Sequence, residues 1–283
     1  MATIALNNNN KIPWIGFGTG TALFKKDANE ATTLAIKSGF IHLDGAQMYQ
    51  NEDSLGKAIS QFPRESLFVT TKLNTLKPGE TVKESLLGSL ERLGLDYVDL
   101  WLIHRPESFP GKLKDVWKGF EEVYQEGLTK NIGVSNFDVK HLKELIDGAS
   151  VMPQINQVGP FNPASIRFHA GLYHQLKPLL EFQKQYGIRV ESYGGLTPIR
   201  NATEEPLNGA LRTISESLSK RYGAPVNDGQ VLLKWLQAKD VIIITTSFKE
   251  FRLKEYLQAF NIPALTEEEI KAIDDVSAPT AGL

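Results

Sequence analysis

What most constrains this chain is a rhythm. Eight short β-rich runs, at residues 15–18, 41–44, 67–72, 98–104, 130–135, 154–157, 188–193 and 241–245, alternate with longer segments of helical periodicity. The runs are mostly apolar on both faces, as strands of a parallel sheet buried on both sides should be. The segments between them carry helix signals. Thr81 and Glu84 make a capping-box spacing, with Val82, Leu86, Leu87, Leu90 and Leu93 behind it and Gly94 at the stop. Leu113, Val116, Trp117, Phe120 and Val123 form a second stripe ended by Gly127. Leu142, Leu145 and Ile146 form a third ended by Gly148, and Val231, Leu232, Trp235 and Leu236 a fourth. These stripes read as core packing. Ahead of the first run, residues 3–6 and 11–14 alternate around Asn7 to Asn10, a tight hairpin turn, since asparagine tolerates positive φ. Nothing in residues 1–283 reads as a linker, so a single domain is expected.

The expected fold is α/β, a (β/α)8 TIM barrel with the N-terminal hairpin across its bottom, an architecture of about 250 residues. The rival is a doubly wound open sheet. Gly16-Phe17-Gly18-Thr19-Gly20 follows a strand and Asp44 ends the next, as in a dinucleotide fold. But the glycines run G-x-G-x-G, and the third fingerprint position is Thr21. Strand count and spacing favour the barrel.

Composition removes other classes. The 283 residues hold 31 Lys+Arg against 33 Asp+Glu, a net charge of −2, so neither a disordered chain nor a nucleic-acid binder is indicated. There is no cysteine for a disulfide scaffold. The start, MATIALNNNN, lacks the basic and apolar regions of a secretory signal, and no uncharged stretch is long enough to span a bilayer. The expected setting is a reducing cytoplasm, with a monomer that acts on a small molecule and holds no metal.

In a barrel the chemistry gathers where strands end. The second run ends in Asp44 with Tyr49 just beyond, the third in Lys72 and the fourth in His104. The fifth ends in Ser135-Asn136, the sixth in Asn156-Gln157, the seventh in Tyr193 and the eighth in Thr245-Thr246-Ser247. Singly, each has a bland reading: Asp44 a turn cap, Lys72 a snorkelling amine, His104 a satisfied core residue, Tyr49 surface or core. Together they have a use. A buried ammonium needs a carboxylate, and Asp44 would hold Lys72 charged. The ammonium is expected to lower the pKa of Tyr49 from its usual value of about 10, turning the phenol into an acid near neutrality. His104 would donate to a substrate oxygen. This describes a proton donor for carbonyl reduction, and since none of the four supplies a hydride, a nicotinamide cofactor is implied.

The chain then resembles the aldo-keto reductase family. Residues 39–46 (GFIHLDGA) with Tyr49 and Asn51-Glu52 are similar to the family's first signature. Leu102-Ile103-His104-Arg105-Pro106 resembles its histidine motif, Gly133-Val134-Ser135-Asn136-Phe137 its central signature and Asn156-Gln157-Val158 its amide motif. The likeness runs to about residue 275 and is nearest to the fungal and microbial reductases with short C-terminal tails. It implies Tyr49 as general acid within a tetrad with Lys72, Asp44 and His104. It implies NADPH, with Ser135, Asn136 and Gln157 on the nicotinamide carboxamide and Tyr193 stacked on the ring. Gly18 and Thr19 would line the cofactor cleft and Leu196 would approach the pyrophosphate. Thr245, Ser247 and Arg252 would form the 2′-phosphate loop, with Glu255 near the adenine.

The departures concern the same places. Thr245-Thr246 stand where the family commonly has Pro-Lys, and Tyr256 replaces an adenine-binding asparagine. Gly159 replaces a glutamate, and Gly194-Gly195 replace Ser-Pro, which predicts a looser loop. Arg105 follows the histidine in place of an aromatic residue; it either favours carbonyls with a neighbouring acceptor or pairs with Glu107. The expected activity is NADPH-dependent reduction of aldehydes and activated ketones. The alternatives are a non-catalytic or weakly catalytic NADPH-binding regulatory barrel, and a lyase using Lys72 as a Schiff-base nucleophile.

Overall fold

The structure, a computed structural model, describes residues 2–159, 173, 175–200 and 207–276. A hairpin of β1 (Thr3–Ala5) and β2 (Lys11–Pro13) opens the chain. Asn9 takes a φ of 67°, and the Leu6 N–H donates to the Asn10 carbonyl at 2.8 Å, so the asparagine turn forms as its chemistry suggests. Parallel strands follow: β3 (Ile15–Gly18), β4 (His42–Asp44), β5 (Phe68–Leu73), β6 (Leu100–Ile103), β7 (Ile132–Ser135), β8 (Ile155–Val158), β9 (Arg189–Tyr193) and β10 (Ile242–Thr245). They pair in chain order, and β10 pairs back to β3, closing a barrel. The (β/α)8 expectation holds. Val98 makes only an isolated bridge with Thr129, so β6 and β7 begin two residues later than the runs suggest.

The helices are α1 (Asn29–Lys37), α2 (Glu52–Ile59), α3 (Val82–Leu93), α4 (Leu113–Gln125), α5 (Val139–Ile146), α6 (Lys177–Gln185), α7 (Leu207–Tyr222), α8 (Asp228–Ala238), α9 (Glu250–Gln258) and α10 (Glu267–Val276). The capping box forms: the Glu84 N–H donates to Thr81 Oγ1 at 3.1 Å and the Thr81 N–H to Glu84 Oε2 at 2.8 Å. Gly94 ends α3 with a φ of 65°. Within α3, Val82, Leu86, Leu90 and Leu93 are buried, whereas Leu87 is 44% exposed. Leu87 sits one residue, or about 100°, around the helix from Leu86 and so misses the barrel.

Two apolar clusters divide the interior. The larger lies between strands and helices. The smaller, of Phe68, Leu100, Leu102, Ile155 and Ile242, lies inside the barrel and is closed from below by Leu6 and Ile12 of the hairpin region. Above this floor the strand period of two brings up polar side chains: His42 and then Asp44 on β4, Thr70 and then Lys72 on β5, Glu191 and then Tyr193 on β9. All of them except Tyr193 are buried. The barrel interior is therefore not apolar throughout, as the sequence suggests; it is a greasy floor under a charged upper layer. Among the described residues no helix is long and apolar enough to cross a membrane, and no cluster of His, Cys, Asp or Glu suits a metal.

Candidate active site

Four side chains from three strand ends meet at the mouth. Asp44 closes β4, and a short 3-10 turn at Gln47–Tyr49 swings Tyr49 back over it. Lys72 rises from β5, and its ammonium donates to Asp44 Oδ1 at 2.8 Å, to Asp44 Oδ2 at 2.7 Å and to the Gly45 carbonyl at 2.8 Å. The fourth neighbour of Lys72 Nζ is the Tyr49 hydroxyl at 3.4 Å. His104 follows β6 and packs edge-on to the Tyr49 ring, with centroids 5.6 Å apart. A substrate oxygen placed between Tyr49 and His104 would meet two protic groups.

Burial works against the Lys72 ammonium, but the charges of Asp44, Tyr49 and Glu191 outweigh it and hold its pKa above the usual range. His104 is pushed well down by burial and by the charges of Lys72 and Arg105, so its imidazole is neutral with one N–H to donate. Its Nδ1 is buried without a partner among the described residues. Tyr49 corrects the sequence expectation. Its pKa is raised: burial is the largest influence, and it exceeds the lowering by Lys72, whose charge Asp44 already offsets. The phenol thus stays protonated through the neutral range, as a donor rather than a phenolate.

The residues assigned to the nicotinamide lie together at the ends of β7 to β9, and their donors are already committed. Ser135 Oγ donates to the Gln157 carbonyl at 2.9 Å. Asn136 Nδ2 donates to the His104 carbonyl and to Ser135 Oγ, both at 3.0 Å, while its Oδ1 accepts from the Tyr193 hydroxyl at 3.0 Å. Gln157 Nε2 donates to Asp44 Oδ2 at 2.8 Å and to Glu191 Oε2 at 2.5 Å. What the trio still offers is acceptor oxygens, Asn136 Oδ1 and Gln157 Oε1, which suit an amide NH2. The other assigned residues flank the mouth. Gly18 pairs with Asp44, and Thr19 Oγ1 donates to the Asp44 carbonyl at 3.1 Å. Leu196 is buried in the turn after β9, Thr245 is buried as the last residue of β10, and Ser247 is buried just beyond it. Arg252 and Glu255 line a groove of about 500 Å³ with Ile199, Asn227, Asp228, Gly229, Phe251 and Tyr256. Arg252 is exposed and has no ion-pair partner among the described residues. Arg105 likewise has none, so the pairing with Glu107 does not form; its charge is felt instead by Tyr49, His104 and Tyr193.

Sequence reasoning missed Glu191 and His42. Both are fully buried, with His42 Nε2 3.8 Å from Glu191 Oε1. The available signal was a glutamate two residues before Tyr193 and a histidine two before Asp44, on the same strand faces as the residues singled out.

The sequence profile of the Aldo/keto reductase family matches residues 14–278. The chain belongs to the Aldo/keto reductase family. It is 39% identical over 260 residues to an NAD/NADP-dependent indole-3-acetaldehyde reductase of Schizosaccharomyces pombe, covering 87% of this chain and 86% of that one. It is 34% identical to an NADPH-dependent alpha-keto amide reductase of Saccharomyces cerevisiae, covering 96% of this chain and 89% of that one. A crystal structure of a Bombyx mori aldo-keto reductase in complex with NADP matches with a TM-score of 0.79 and 29% identity, covering 97% of this chain and 92% of that one.

The departures from the family pattern have local reasons. A Cβ on Gly159 would lie 2.2 Å from the Tyr193 ring, so the ring occupies the space a side chain there would need. The two glycines after Tyr193 stand in a hydrogen-bonded turn packed against α8. The Thr197 N–H donates to the Gly194 carbonyl at 2.9 Å, and a Cβ on Gly195 would meet Leu236 at 2.7 Å. Thr246 Oγ1 donates to the Gly18 carbonyl at 2.6 Å, tying β10 to β3 where the family commonly places a lysine.

Proposed function

We propose that this chain reduces aldehydes and activated ketones to alcohols with NADPH, with Tyr49 as the proton donor. The observation that carries the reading is the protonated phenol of Tyr49 placed 3.4 Å from an ammonium that Asp44 keeps charged. When bound, NADPH supplies the hydride that reduces the carbonyl carbon. The chain's residues do the rest. His104 donates a hydrogen bond to the carbonyl oxygen and polarises it. As negative charge builds on that oxygen, Tyr49 Oη gives up its proton, and the Lys72 ammonium stabilises the phenolate left behind. Asp44 keeps Lys72 from serving as a proton source itself. The same contacts speak against the lyase alternative, because an ammonium bonded to both oxygens of a carboxylate has no free lone pair for a Schiff base.

The donor set fits the cofactor. The acceptors at Asn136 and Gln157 suit a carboxamide NH2, Tyr193 offers an aromatic face, and the Arg252 groove offers an exposed cation. Lacking a lysine at position 246, the chain is read as preferring NADPH while accepting NADH. Arg252→Ala is expected to raise the KM for NADPH about tenfold or more, as loss of a charged contact of about 1.5–3 kcal/mol implies, and to leave the KM for NADH nearly unchanged. Equal effects on both cofactors would remove the 2′-phosphate assignment.

Arg105 points to carbonyls flanked by an acceptor, such as keto esters, keto amides and keto acids. Arg105→Ala is expected to lower kcat/KM for these by about tenfold relative to simple aldehydes. An unchanged ranking across such a panel, with NADPH oxidation followed optically, would end this assignment; a panel in which no carbonyl is reduced would end the reductase reading as a whole.

A further inference from the structure

Glu191 is fully buried inside the barrel, one strand position below the mouth, and the chemistry above leaves it idle. It is not isolated. Gln157 and Glu191 are cross-strand partners in register. The two hydrogens of the Gln157 amide go one to Glu191 Oε2 at 2.5 Å and one to Asp44 Oδ2 at 2.8 Å. The other oxygen, Oε1, has no hydrogen-bond partner among the described residues and faces His42 Nε2 at 3.8 Å. A cross-barrel chain therefore runs Glu191–Gln157–Asp44–Lys72–Tyr49.

We propose that Glu191 is a positioning residue: through Gln157 it fixes which way that amide faces and sets the net charge beneath the nicotinamide end of the cofactor cleft. This rests on the reductase reading above. Without Glu191, one amide hydrogen of Gln157 would be unpaired in the barrel interior, and only the bond to Asp44 Oδ2 would hold the amide against turning its NH2 toward the cleft. With Glu191 in place, Oε1 remains the amide's free acceptor.

The charge state follows from the groups around it. Facing Glu191 are His42 and Asp44 from β4 and Lys72 from β5, while β8 and β10 contribute Gln157 and Ile242 in register. Burial, and after it the Asp44 charge, push the Glu191 carboxyl up to about 8, against the opposing pull of Gln157 and Lys72. His42 is pushed down to about 3 by burial and by Lys72, so it is neutral throughout. Near pH 7 the layer thus holds a neutral acid, a neutral imidazole and the Asp44–Lys72 pair, with no net charge. As pH rises through about 8, Glu191 releases its proton to solvent and the layer gains one negative charge. Tyr49 and Lys72 are raised and His42 and His104 lowered, so none of them changes charge in that window.

The sign of the effect on binding is fixed. The nicotinamide ring of NADP+ is cationic and that of NADPH is neutral. The added charge strengthens binding of the oxidised form relative to the reduced one as pH rises. The phosphates are common to both forms and cancel in the ratio.

Calorimetric titration of NADP+ and NADPH at pH 6.5 and 9 is the test. In the wild type the ratio Kd(NADPH)/Kd(NADP+) is expected to rise about five- to tenfold between the two pH values, the size of one nearby charge in a partly screened site. Glu191→Gln, which mimics the neutral acid, should hold the ratio constant. Glu191→Leu, which cannot accept from Gln157, should lower kcat about tenfold at pH 6.5, and Glu191→Gln should rescue most of that loss. A wild-type ratio that does not change with pH, or a Glu191→Gln ratio that changes as in the wild type, overturns the proposal. Should Glu191→Leu fail to fold, carbon-13 NMR of glutamate carboxyls decides: one resonance titrating near pH 8 in wild type and missing from Glu191→Gln supports it, and no such resonance refutes it. The calorimetric ratio and the carboxyl resonance are read without any carbonyl substrate, so a failed reductase reading and a failed role for Glu191 are separable.

Discussion

Tyr49→Phe is expected to lower kcat for carbonyl reduction by about 10²- to 10⁴-fold, the range contributed by a positioned proton donor. The change removes one oxygen and leaves the ring, so the edge-on contact with His104 survives. The Kd for NADPH should stay within about twofold of wild type, because the nicotinamide trio is bonded to its own neighbours and not to Tyr49. The loss should thus appear in kcat, with little change in KM. Raised as it is by burial, the phenol donates over the whole neutral range, so the reduction rate should show no fall near pH 7 from this group. A variant with near wild-type turnover would take Tyr49 out of the chemistry altogether.

The second large effect concerns the buried pair. Lys72 is fully buried and Asp44 nearly so, and each is satisfied chiefly by the other. Removing one partner from such a pair costs about 3–5 kcal/mol, because the remaining charge stays desolvated. Asp44→Ala is therefore expected to lower the Tm by about 10 °C, taking about 2–4 °C per kcal/mol for a chain of this size. It should abolish measurable turnover as well. Replacing both partners, Asp44→Leu with Lys72→Met, removes the orphan charge and should recover most of the lost Tm while recovering no activity. Scanning calorimetry beside a turnover assay reads both quantities. An Asp44→Ala protein that melts within about 1 °C of wild type would mean that the pair contributes little to stability.

The barrel was legible in the sequence because its two periodicities are. Runs of β-branched residues that are apolar on both faces describe a strand covered on both sides, and stripes at helical spacing describe what covers it. The capping box at Thr81 and Glu84 and the stop at Gly94 are local chemistry, settled within a few residues. The meeting of Asp44, Tyr49, Lys72 and His104 could be inferred because the fold brings strand ends together at one rim. What was not legible depends on contacts between distant strands. The acidity of Tyr49 was misjudged because it is a balance of burial, Lys72 and Asp44, and the sequence shows the groups without their distances. Gln157 read as a simple carboxamide ligand because the two carboxylates that use its hydrogens come from strands far away in sequence. Glu191 and His42 passed unnoticed because a strand-end reading looks only at the last residue of each run, while the period of two places a second layer beneath it.

Leu6 and Ile12 of the hairpin region seal the cluster of Phe68, Leu100, Leu102, Ile155 and Ile242 from below. They make the barrel a cup rather than a pipe. Bulk water can enter from one end alone, so the ionisable groups in its upper half keep a dry underside. Shave off that stopper and solvent would rise from beneath toward His42 and Glu191, their perturbed protonation would relax toward ordinary values, and the electrical character of the chamber would change without a single residue of its rim being touched.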